Sequence, residues 1–211
     1  APPSAANVGQ RVEALRRLRT ATAGAADRPV LIVLSAEASA VRYAAPTAFD
    51  EAPPVFAVGD AIDVAALPAL AESIGYVLDD RVDEPGEIAI RGSVVDLFPA
   101  DRLHPVRIEF ADGRVTTLRS YDPVTQLGLE DVEQVTIGRA SEPPLGDGVP
   151  ITAHLPDADI YLDPRTQDRR DRFLALAADG SAGRRSLAAL VDDAAWRAAV
   201  ADRRIVPGPD T

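Results

Sequence analysis

The 211-residue sequence contains no cysteine and no lysine. Without cysteine there is no disulfide, no thiolate metal site and no cysteine nucleophile. Without lysine all 22 basic side chains are arginines, and a G-x-x-x-x-G-K-[ST] phosphate loop is excluded because its lysine cannot be supplied. Aromatic residues make up only 5%, so alanine, leucine and valine must fill the core. No apolar run approaches the ~18 residues of a transmembrane helix. Histidine is scarce as well. His104 and His154 stand far apart with no i, i+4 partner, so both are expected as solvated or capping side chains rather than as metal ligands or general bases.

What is present describes a folded, acidic chain. Hydrophobic residues make up 46%, and 22.3 kDa suits one large domain or two small ones. The net charge is −11, from 33 acidic against 22 basic residues. Such a surface repels phosphates at long range, so a protein partner is expected before a nucleic acid. The phosphate-ready clusters are Arg169, Arg170 and Arg172, and Arg184 with Arg185; each reads first as the outer face of a helix. Asp79, Asp80, Asp83 and Glu84 lack the spacing of a calcium loop and read as a solvated edge. Gly113, Gly146 and Gly148 read as turn glycines. No cofactor and no catalytic residue is expected.

Periodicity divides the chain. Val8, Val12, Leu15 and Leu18 mark a helix over 8–19. The run 30–34, five apolar residues without alternation, predicts a strand buried on both faces, as in a parallel sheet. Ser35 is placed to cap a short helix after it. Residues 55–58 predict a strand. Leu67, Leu70, Ala71 and Ile74 predict a helix with Pro68 in its first turn and Gly75 at its end. Residues 76–82 then predict a strand. Beyond a Pro/Gly linker at 142–148, helix and strand alternate again: a helix over 151–155, a strand over 160–162, helices over 166–178 and 193–201, and a last strand at 205–206. Trp196 and Val200 share a helical face, which predicts core packing for the indole. The flanks 1–54 and 139–211 are therefore expected to form one discontinuous α/β domain with a shared sheet. A mostly antiparallel α+β unit, 55–138, would be inserted between them.

The inserted unit carries the strongest local signals. Residues 84–99, EPGEIAIRGSVVDLFP, read as two strands joined at Gly92, with Glu87, Ala89 and Arg91 on one face and Ile88 and Ile90 on the other. A second hairpin follows, PVRIEF and RVTTLRS around Asp112-Gly113. Together with Val58-Gly59-Asp60 and the later SYDPVTQ, these pieces, in this order, resemble the UvrB-homology module. That module occurs in UvrB and in the N-terminal part of the bacterial transcription-repair coupling factor, Mfd. The resemblance implies a degenerate, non-catalytic helicase-like α/β domain carrying an inserted UvrA-interaction domain, in a cytoplasmic protein of nucleotide excision repair. It implies UvrA as partner. RNA polymerase and DNA would be engaged only through domains outside this sequence.

By the same resemblance Arg91 belongs to the UvrA-binding surface, where a planar guanidinium suits carboxylates. Arginines that the family carries near Leu78 and at Ala89 are missing, and Arg81 is the available substitute. The partner-binding set is therefore Arg91, Arg81, Leu78, Ala89 and Glu87, with UvrA binding weakened by the two apolar replacements. The rival reading is a DNA-backbone-binding or divergent helicase-like domain that does not bind UvrA.

Overall fold

The computed structural model describes residues 3–25, 30–179 and 189–207. The chain forms two compact units, each discontinuous in sequence: Ala1–Ala14 with Glu51–Glu142, and Leu15–Asp50 with Pro143–Thr211. These boundaries differ from the expected 1–54, 55–138 and 139–211. Packing explains the difference. Ala5 lies against the core of the first unit, and Gly9 sits so close to Ala100 that a Cβ would come within 2.6 Å of its backbone. At the other end Ala140 is buried and its N–H donates to the Ile74 carbonyl at 2.8 Å.

The first unit is built on a six-stranded sheet in the order β2-β3-β4-β5-β6-β7. The strands are β2 (Val77–Leu78), β3 (Glu87–Arg91), β4 (Val94–Leu97), β5 (Val106–Ala111), β6 (Arg114–Tyr121) and β7 (Gly128–Asp131). All neighbours are antiparallel except β2 and β3. A separate pair joins β1 (Val55–Ala57) to β8 (Gln134–Thr136), also antiparallel. Asp112 and Gly113 turn the β5–β6 hairpin at φ 52° and 72°, the doubly left-handed turn that matches strand twist. Residues 76–82, expected as one strand, contribute only the two residues of β2.

One sheet face is the core. Ile88, Val95, Leu97, Val106, Ile108 and Leu118 are buried there against the helix α3 (Leu67–Ser73), which brings Leu67, Leu70 and Ala71. The helix begins at Leu67 with Pro68 in its first turn, where no internal hydrogen bond is lost. Tyr76 pins the structure from within. Its hydroxyl donates to the Gly138 carbonyl at 2.9 Å and accepts from the Ala100 N–H at 3.0 Å.

The helix α1 (Ala5–Thr20) buries Val8, Val12, Leu15 and Leu18, the face its periodicity predicts. In the second unit, α2 (Ala36–Ser39) is capped by Ser35, whose Oγ accepts from the Ala38 N–H at 3.1 Å. A 3-10 turn spans Ile151–His154. The strand β9 (Ile160–Leu162) precedes α4 (Thr166–Ala178), and α5 (Asp193–Val200) precedes β10 (Ile205–Pro207). β9 and β10 pair in parallel. Trp196 is buried, as its spacing predicts.

The expected buried strand at 30–34 does not form. The segment has no strand partner among the described residues, and Leu31 and Val33 are 89% and 86% exposed. It therefore shares no sheet with β9, whose partner is β10. An all-apolar run specifies a strand only when two neighbours exist to cover it.

Candidate protein-interaction site

The sheet face opposite α3 is where charge collects. Register fixes one row across five strands: Ala89 lies opposite Asp96, Asp96 opposite Arg107, Arg107 opposite Arg119, and Arg119 opposite Asp131. Directly opposed residues share a face, with Cβ atoms within roughly 5 Å. Arg119 Nε donates to Asp131 Oδ1 at 2.6 Å. Arg107 places a fork on Asp96, Nε to Oδ1 at 2.7 Å and Nη2 to Oδ2 at 2.9 Å. Arg91 lies one row along and reaches diagonally, its Nη2 donating to Asp96 Oδ2.

Asp96 is thus a carboxylate only 1% exposed that carries two guanidiniums, with Arg91 52% and Arg107 33% exposed at the side chain. The Arg107 guanidinium also lies over the Tyr121 ring, 5.1 Å from its centroid. Burial, then the Asp96 charge, push the Tyr121 phenol up to about 12, so it stays neutral across the physiological range. Sequence reading missed both Asp96 and Arg107. The available signal was a lone carboxylate inside the run Val94-Val95-Asp96-Leu97, three residues past the two-residue turn that follows Arg91.

The expected site residues fare differently. Arg91 is on the polar face and half exposed, as anticipated. Glu87 is on that face but engaged: its Oε2 accepts from the N–H groups of Asp83 and Glu84 at 2.8 and 2.9 Å. Ala89 faces the same way yet is only 1% exposed, because Val82 folds over it and packs with Phe98. It offers nothing to a partner, which corrects its place in the set. Arg81 is exposed and bonds Asp83 at 2.7 Å, with a longer contact from Nη2 to the Pro123 carbonyl at 3.4 Å.

Leu78 is exposed but pairs with Ile88 on the sheet edge. That puts it about 10 Å along the strand from Arg91, at a register position of the core face. Leu78 and Arg91 are not neighbours; Val77, opposite Glu87, is the β2 residue on the polar face.

Other candidates resolve as structure. Arg170, expected in a basic outer face, is fully buried. It donates to Ser39 Oγ at 2.9 Å and the Val191 carbonyl at 3.1 Å and lies 4.4 Å from the Trp196 ring centroid. Arg169 and Arg172 are exposed, so the three do not act together. Arg184 and Arg185 lie outside the described residues. His154 is buried rather than solvated: its Nε2 is 2.9 Å from the Ala44 carbonyl, and burial pushes its pKa down. His104 is exposed. Among the described residues no cluster of His, Cys, Asp or Glu could hold a metal, and no helix is long and apolar enough to cross a membrane. The apolar core beneath α3 leaves a cavity of only about 10 Å³.

The sequence is similar to known proteins over part of its length. The family described as UvrB interaction domain matches residues 55–142. The transcription-repair-coupling factor of Bacillus subtilis (strain 168) is 36% identical over 85 residues, covering 40% of this chain and 7% of the relative. That of Escherichia coli (strain K12) is 40% identical over 79 residues, covering 37% and 7%. That of Mycobacterium tuberculosis (strain CDC 1551 / Oshkosh) is 28% identical over 135 residues, covering 64% and 11%. The matched stretch thus spans about a tenth or less of these relatives' length. The stretch 55–142 thus matches the UvrB interaction domain family and is similar to the corresponding part of transcription-repair-coupling factors.

Proposed function

We propose that this chain is a non-catalytic interaction module of a transcription-repair-coupling factor, and that it recruits UvrA for nucleotide excision repair through the polar face of its six-stranded sheet. The observation that carries the reading is the paired guanidiniums of Arg91 and Arg107, held on one buried carboxylate and both open outward. Forked cations in fixed positions suit acidic groups on a partner protein better than a smooth phosphate track. The net charge of −11 opposes the nucleic-acid alternative. So does the burial of Arg170, which breaks up the basic cluster of α4.

The second unit is, on this reading, the degenerate helicase-like α/β domain that carries the insert. Its support is the parallel β9–β10 pair with α4 between the strands, since parallel neighbours require such a crossover. The sequence's lack of lysine supports the absence of a P-loop ATPase site there.

Calorimetry with the cognate UvrA tests the proposal. Arg91→Glu replaces a charge-assisted contact by like-charge opposition and is expected to cost on the order of 2–4 kcal/mol of binding. Because Arg91 also bonds Asp96, the same change should lower folding stability by about 1–2 kcal/mol, so binding is compared at a temperature where both proteins are folded. Unchanged affinity for Arg91→Glu would reject this face as the contact.

A further inference from the structure

Asp96 is unusual for a surface-facing sheet residue. It is only 1% exposed, and among the described residues the side chains bonded to its carboxylate are those of Arg91 and Arg107. Burying a carboxylate is costly, and a well-packed apolar side chain at such a place is often as stable or more so. Stability alone therefore gives a weak reason for this aspartate. Geometry gives a stronger one. Two guanidiniums drawn onto one carboxylate from the strands on either side of β4 repel one another, and long arginine side chains lose much rotamer freedom when held.

Asp96 offsets both effects. It neutralises one of the two charges and fixes both side chains from below, while among the described residues no other acceptor holds either guanidinium. Each keeps outward N–H groups available. The result is a pre-aimed double fork, which meets a carboxylate without first paying to order two flexible side chains.

We propose that Asp96 is a positioning residue for the acidic partner: it holds Arg91 and Arg107 in the orientation that receives partner carboxylates, and so sets affinity without touching the partner. This rests on the UvrA-recruitment reading above. It makes a counter-intuitive prediction. Asp96→Asn raises the local charge by one, which long-range electrostatics alone would reward. Loss of positioning should instead weaken binding.

The test uses the whole chain in wild-type, Asp96→Asn, Arg91→Ala and doubly substituted forms. UvrA affinity is measured by calorimetry, and the mobility of the arginine Nε–H groups by ¹⁵N relaxation. We expect Asp96→Asn to weaken UvrA binding about tenfold or more and to lose clearly less in the Arg91→Ala background, because the two act as a unit. The Arg107 Nε–H should be as ordered as the backbone in the wild type and mobile in Asp96→Asn. Equal or tighter binding by Asp96→Asn overturns the proposal. So does an equal loss in both backgrounds, the mark of a purely structural effect, or an Arg107 Nε–H already mobile in the wild type. Absence of wild-type binding overturns the recruitment reading, and this proposal with it. That outcome remains distinguishable, because the relaxation data would still show whether Asp96 orders the arginines.

Discussion

Two arginines of this chain meet opposite fates from similar sequence surroundings. Arg91 precedes a glycine on a strand end and stays half exposed. Arg170 sits among Arg169, Asp171 and Arg172, yet its side chain is fully buried beside Trp196, Ser39 and the Val191 carbonyl. Helical phase decides the second case: one residue in a polar run must point inward. Burial pushes the Arg170 guanidinium down from its ordinary pKa. Removing it takes the donor from the Val191 carbonyl and the cation from the indole face, while Ser39 Oγ keeps its bond to the Ala36 carbonyl. Arg170→Ala is expected to destabilise the second unit by roughly 3 kcal/mol, and Arg170→Met by clearly less, since an apolar isostere fills the space without a buried charge. Urea denaturation followed through the emission of Trp196, the only tryptophan, reads both. At this scale the sequence was half legible. Arg91 was found from its motif and its face. Asp96 and Arg107 were not, because their importance lies in a register that joins β3, β4 and β5.

Among the elements, the hairpins were the most readable. Alternation and the Asp112-Gly113 turn specify β5 and β6 locally, and Leu67, Pro68 and Gly75 bracket α3. β7 went unnoticed because Gly128, Leu129, Glu130 and Asp131 are all exposed and carry no periodic signal; its formation depends on β6. The helix α1 extends three residues earlier than its apolar face suggested, to Ala5, where Val8 N–H donates to the Ser4 carbonyl at 3.0 Å. Gly9 within it tests what fixes that helix. By intrinsic propensity Gly9→Ala should stabilise by about 1 kcal/mol. Here the new Cβ would lie 2.6 Å from the Ala100 backbone, which cannot rotate away. The substitution is expected to be net destabilising by about 1–2 kcal/mol, measured as a fall in the melting temperature of the chain. A rise would mean that the contact with Ala100 yields easily.

For the molecule as a whole, two units of different character share one chain: a mostly antiparallel sheet covered by α3, and a set of helices with a two-stranded parallel pair. Composition indicated an acidic, cysteine-free protein suited to protein contacts. It could not show that 30–34 would lie open, since an apolar run reads alike whether or not partners exist to cover it. That open segment has a practical consequence. It is an uncharged, β-prone stretch of five residues with no strand partner among the described residues, the kind of template on which separate chains stack strand to strand. At high concentration the purified chain is expected to associate through it, reversibly at first and later as aggregate. One lysine at the most exposed position, Leu31→Lys, should suppress that association by placing a repelling charge in every would-be strand, with a change in folding stability within about 0.5 kcal/mol. Light scattering across a concentration series would show it, and the lysine-free background makes the new amine a single addressable side chain for labelling.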